Sequence, residues 1–146
     1  MQRQAGFTLI ELITVIVILG ILAAFAIPRF AGLETQARIA TVKGMAGAVK
    51  SGAALAHALY IADGSNPVTV TMEGQAVAIV NGYPSDVVAG IVKTIQDTTG
   101  FTSAAGSSGW LLSFTNAPTA ATCSVEYIEP TALNTPPTVT ILTAGC

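Results

Sequence analysis

Few residues in this chain are suited to chemistry, and their spacing narrows the choice further. One carboxylate, Glu11, stands inside an otherwise apolar run, one histidine, His57, has no acidic or cysteine neighbours in sequence, and two cysteines, Cys123 and Cys146, allow one disulfide. A single histidine without clustered acids makes no zinc site. No GxSxG, HExxH or GxxxxGKS/T pattern occurs, and Gly106 and Gly109 form no phosphate-binding fingerprint. His57 is therefore read as a structural or surface residue. No catalytic residue, metal site or cofactor is expected.

The elements that position these residues follow from an uneven composition. The chain has 146 residues, of which 51% are hydrophobic and 10% charged, with a formal net charge of -2. Its length suits one domain with a buried core. The apolar content excludes a disordered chain, and the charge excludes a basic nucleic-acid binder, since Lys43, Lys50 and Lys93 are dispersed. From Leu12 to Pro28 there is no charge at all. The apolar stretch from Phe7 to Ile27 is interrupted only by Thr8, Glu11, Thr14 and Gly20. As a helix it is about 31 Å long, which matches the hydrocarbon thickness of a bilayer. A domain of this size cannot surround such a helix on every side.

Arg3 ahead of the run raises the alternative of a secretory signal peptide, with Ala23, Ala24 and Ala26 as small residues near a cleavage site. Glu11 speaks against it. An acid at the centre of a spanning helix costs about 2.5 to 3.5 kcal/mol, less towards an interface, and a discarded signal has no use for it.

The segment MQRQAG followed by FTLIELITVIVILGILAAFAIP resembles the amino terminus of type IV pilins and of the related type II secretion pseudopilins. The features in register are a short basic leader, Gly6 at its end, Phe7 opening the mature chain, Glu11 four residues later, and Pro28 late in the apolar run. The resemblance implies that a prepilin peptidase cuts between Gly6 and Phe7 and methylates the new amine. It divides the chain into a leader (1–6), a hydrophobic transmembrane and filament-core helix (7–28) and a globular headgroup (29–146).

In a helix starting at Phe7, a free amine there and the Glu11 carboxylate can neutralise one another within a chain or between chains. Either charge alone in lipid is unfavourable, so a neighbour's amine sets register when helices bundle. The family favours pairing between subunits. Pro28 lacks an amide hydrogen and Gly20 weakens the helix by about 1 kcal/mol relative to alanine, which marks the stretch between them as the easiest to unwind.

Beyond Pro28 the helical pattern continues to about residue 62. Val42, Met45, Val49, Ala53, Ala56 and Leu59 or Tyr60 form its apolar face, and Gly44, Ala48 and Gly52 form a small-residue stripe that permits close approach. A turn at Asp63–Pro67 ends it. Val68–Met72 and Gln75–Val80 read as a hairpin joined at Glu73-Gly74. Asp86–Gln96 reads as a short helix, and Thr102–Gly109 as a mobile loop. Alternating runs at 110–115, 123–128 and 138–143 suggest an antiparallel sheet over the carboxyl half of the long helix. The expected class is α+β, with a long amino-terminal helix whose hydrophobic half protrudes, the type IV pilin fold.

An extracytoplasmic location, implied by the resemblance, permits a Cys123–Cys146 disulfide, and in type IV pilins a disulfide-bounded carboxyl-terminal region forms an exposed surface. The GYP turn at Gly82–Pro84, the spacing of Cys123 and Tyr127, and the terminal Gly-Cys are most similar to the mannose-sensitive haemagglutinin class. The resemblance implies a non-enzymatic subunit, stored in the inner membrane as a single-pass precursor. The subunit polymerises with itself into an extracellular helical filament for attachment. Its partners are then the prepilin peptidase and a pilus assembly platform, with no nucleic acid. A type II secretion pseudopilin or a minor pilin is the alternative. Against a pseudopilin stands the carboxyl end, where Glu126 and Glu129 are too few for the calcium-binding loop typical of that class.

Overall fold

The computed structural model describes residues 6–146, without side chains over 28–31, so the leader before Gly6 and the Pro28 ring lie outside the described residues. The chain divides into two compact units, Met1–Gln36 and Ala37–Cys146. Helix α1, Leu9–Asp63, contributes to each.

From Leu9 to Ile27 α1 is apolar except at Glu11, Thr14 and Gly20, and Leu9, Ile13, Ile16, Leu19 and Leu22 are all exposed. Its run of β-branched residues from Ile13 to Ile18 favours a strand by local preference. In lipid, however, a single segment satisfies its backbone only as a helix. Thr14 fits the same rule, because its hydroxyl donates to the Ile10 carbonyl over 2.6 Å.

In the second unit α1 becomes amphipathic. Val42, Met45, Ala46, Val49, Ala53, Ala56 and Tyr60 are buried at steps of three and four. Tyr60 rather than Leu59 completes the face. The helix stops at Asp63 because Gly64 takes a positive φ of 70° and its N–H returns to the Tyr60 carbonyl.

Two antiparallel sheets cover that face. The first contains β1 (Thr69–Met72), β2 (Gln75–Val80) and β3 (Tyr83–Pro84), in that order. Met72 pairs with Gln75 across Glu73-Gly74, both at positive φ, as a tight two-residue hairpin requires. Val70, Met72, Val77 and Ile79 pack with Ala56 and Tyr60. The second sheet contains β4 (Phe101–Ala105), β5 (Trp110–Phe114), β6 (Ser124–Ile128) and β7 (Thr138–Leu142). Leu112, Cys123, Val125 and Tyr127 are fully buried against Val42, Met45 and Val49. The α+β class holds.

Two local expectations fail. Asp86–Gln96 is not a helix, since only Ile91–Thr94 forms a 3₁₀ turn, and Val87 and Val88 are exposed while Ile91 is buried. The backbone there is committed to β2 instead: Ala78 donates to Ala89 and accepts from Ser85, and Ile91 donates to Ser85. A β-branched run interrupted by Gly90 has too little helix preference to compete. Thr102–Ala105 is likewise not loop but most of β4, paired residue for residue with β5 from Phe101↔Phe114 to Ala105↔Trp110. Cross-strand pairing outweighs the weak strand preference of small residues, and the turn shrinks to Gly106–Gly109.

Candidate functional site

The residues singled out at the amino terminus lie on one short stretch of backbone. Gly6, Phe7 and Thr8 precede the helix, Phe7 is 88% exposed, and nothing lies within 4 Å of the position a Gly6 side chain would take. Gly6 and Phe7 are thus both exposed.

Thr8 is the helix N-cap. Its hydroxyl accepts from the Glu11 N–H at 3.3 Å and donates to Glu11 Oε2 at 2.7 Å, while Oε2 also accepts the Thr8 N–H at 2.9 Å. This reciprocal arrangement is a capping box, which satisfies otherwise orphaned donors at the helix start. Thr8 is a residue that the motif of Gly6, Phe7 and Glu11 passes over. The signal was nevertheless present, because Thr8-x-x-Glu11 ahead of an apolar run is the capping-box pattern.

Gly20 lies in α1 with open space around it, and the helix assignment continues through both Gly20 and position 28. Among the described residues His57 belongs to no cluster of side chains that could hold a metal ion. Its ring stacks on Tyr83 with centroids 4.0 Å apart, and Nδ1 lies 2.7 Å from the Gly82 carbonyl oxygen, a structural role.

At the other end of the chain Cys123 and Cys146 form a disulfide, with Cα atoms 4.9 Å apart. Both are buried in the larger core. The terminal segment is further held where Gly145 donates to Thr122 and accepts from Thr119, and where Arg38 Nη1 donates to the Cys146 carbonyl at 2.8 Å. A side chain at Gly145 would collide with the Thr119 backbone carbonyl as well as the Thr122 hydroxyl, so only glycine fits there. Tyr127 joins the two sheets: its buried hydroxyl donates to the Pro84 carbonyl at 2.7 Å. Burial first, then the charges of Glu129 and Asp86, holds this phenol above the ordinary tyrosine range.

Comparison with known proteins agrees with this arrangement. Residues 1–27 match the prokaryotic N-terminal methylation motif. The chain is 57% identical over 55 residues to the type IV narrow pilus major component PilA5 of Thermus thermophilus, covering 38% of this chain and 47% of that protein. It is 43% identical over 68 residues to the type IV major alpha-pilin of Moraxella bovis, covering 47% and 40%. It is also 49% identical over 43 residues to the type II secretion system core protein G of Pseudomonas aeruginosa, covering 30% of each. The chain spans less than half the length of these curated relatives. No solved structure matches it. These relatives do not single out the mannose-sensitive haemagglutinin class. Its methylation motif, its similarity to pilins over the amino-terminal part and its long helix packed against antiparallel sheets together support the type IV pilin family.

Proposed function

We propose that the chain is a structural subunit of a type IV pilus, made as an inner-membrane precursor and polymerised into a surface filament used in attachment. The observation that carries this reading is the run of exposed apolar side chains from Leu9 to Ile27, opened by the Thr8–Glu11 cap and preceded directly by the accessible Gly6–Phe7 bond. That surface suits a bilayer first and a bundle of identical helices afterwards.

In this reading prepilin peptidase cleaves between Gly6 and Phe7 and methylates the new amine. Glu11 then gives up Thr8 for the Phe7 amine of a neighbouring subunit. The exchange is selective, since an incoming helix out of register leaves a carboxylate unpaired in an apolar bundle. Gly20 and Pro28 bound the segment that unwinds on assembly, where Pro28 offers no amide hydrogen to the Ala24 carbonyl. Residues 29–146 form the headgroup, and the disulfide within its folded part Ala37–Cys146 fixes the carboxyl-terminal surface. The assembly platform supplies the partner at the membrane.

The match to core protein G supports a pseudopilin as the second reading. Electron microscopy of cells with and without the chain separates the two. A pilus subunit gives surface filaments that are lost with the chain, whereas a pseudopilin gives unchanged filaments and a loss of protein secretion.

A further inference from the structure

The four-stranded sheet has two edges, β4 and β7. At the two ends of the β4–β5 ladder, Thr115 N–H donates to the Gly100 carbonyl at 2.9 Å and Gly106 N–H to the Gly109 carbonyl at 2.7 Å. Hydrogen-bonded pairs in an antiparallel ladder recur at every second residue. Thr102 and Ala104 therefore direct their backbone groups to β5, and Ser103 and Ala105 direct theirs to the open edge. The outward carbonyl of Phe101 completes the set, its N–H being used by Thr98.

This edge carries none of the usual devices against pairing. The sequence FTSAA has no charge and no proline, its register with β5 has no bulge, and Thr102 to Ala105 are exposed on both faces. At the opposite edge, β7 is preceded by Pro136-Pro137.

We propose that β4 is a homotypic docking edge, through which two copies of this chain join by antiparallel β4–β4 pairing about a two-fold axis at Ser103. The strand is complementary to itself in that register. Ser103 N–H and C=O meet C=O and N–H of the second copy's Ser103, and each Ala105 N–H meets the other copy's Phe101 carbonyl. Opposed side chains are Ser with Ser, Phe with Ala and Thr with Ala, so no like charges face each other. An unrelated peptide finds neither a charge nor a pocket on this strand to select it.

A two-fold contact closes on itself. It differs from any head-to-tail contact that propagates a polymer, and it stands whether or not the chain forms filaments. In filaments it links one to another side by side, where many weak contacts add by multivalency.

Both native cysteines are in the disulfide, so an introduced cysteine has only its own copy to pair with. Directly opposed residues in a hydrogen-bonded pair have Cα atoms about 5.5 Å apart, within disulfide range, whereas Thr102 and the second copy's Thr102 are displaced along the strands and out of reach. The test uses the full chain in detergent micelles under mild oxidation. Ser103→Cys should give several-fold more covalent dimer than Thr102→Cys or Ser107→Cys, and adding Ala105→Pro should abolish the excess while leaving the circular dichroism spectrum unchanged. Association through the apolar helix raises all three positions alike and leaves their ratio flat. Equal yields at the three positions would overturn the proposal. So would monomers throughout whose Ser103 and Ala105 amides gain exchange protection only on addition of a different protein.

Discussion

Glu11 Oε2 accepts both the backbone N–H and the hydroxyl of Thr8, at 2.9 and 2.7 Å, so the one acid in the apolar helix already has a partner in its own chain. In the proposed pilus subunit the carboxylate would enter the membrane as a cap at the helix start, where its cost is lowest if that start lies near an interface. On the proposed function, assembly is then an exchange of partners, Thr8 for the Phe7 amine of a neighbour.

That exchange separates Thr8 from Glu11. Thr8→Val should weaken the helix start by about 1 kcal/mol and still permit filaments, because the carboxylate survives. Glu11→Val should leave the chain inserted in the membrane yet sharply reduce filament yield. Sheared filaments and membrane fractions, quantified side by side for both variants, check this; unchanged yield for Glu11→Val contradicts the intersubunit role.

The two glycines of the small-residue stripe should behave differently. A side chain at Gly52 would collide with the Thr94 hydroxyl and lie 3.0 Å from the Thr94 carbonyl oxygen, whereas Gly44 faces open space. Gly52→Ala is expected to destabilise the headgroup by roughly 1 to 3 kcal/mol through overpacking. Gly44→Ala is expected to stabilise the helix by up to about 1 kcal/mol. Denaturant unfolding of both variants reads the opposite signs.

What could be read in the sequence and what could not divides along physical lines. The α1 core face, the Glu73-Gly74 hairpin and the inward set Cys123, Val125 and Tyr127 carry strong periodicity or turn chemistry, and the structure keeps them. The segment around Gly90 and the strand Phe101–Ala105 depend on distant partners, Ala78 and β5, which no local pattern encodes. At the site, Glu11 was legible because an acid in an apolar run demands a reason. Arg38 was not, since its bond to Cys146 spans 108 positions.

Tyr127 gives a pH prediction. Its native phenol titrates above the ordinary value, so the native state favours the protonated form. The contribution is fully present below the unfolded tyrosine pKa of about 10 and is lost as pH rises beyond it towards the native value. Tyr127→Phe leaves the buried Pro84 carbonyl without its donor and should cost about 1 to 3 kcal/mol at neutral pH. It should also flatten the alkaline fall in stability, measured by denaturant unfolding at stepped pH.

Removing the disulfide should loosen the headgroup but spare the membrane segment. Its ends are separated by 23 positions, and closing a loop of that size is worth about 3 kcal/mol in the chain-entropy model. Cys123→Ser with Cys146→Ser should lower the thermal midpoint of the full chain in detergent, followed by near-ultraviolet circular dichroism. An unchanged midpoint would remove the stabilising role.

On the proposed function this chain, cut before Phe7, is the repeating subunit of a filament. Intact-mass and amino-terminal peptide mass spectrometry of filaments sheared from the cell surface tests it most directly. The expected spectrum shows one dominant chain that begins at a methylated Phe7 and retains the whole apolar segment to Ile27. A chain that still carries Met1–Gly6, one cut after the apolar run, or filaments that lack this chain altogether would contradict it.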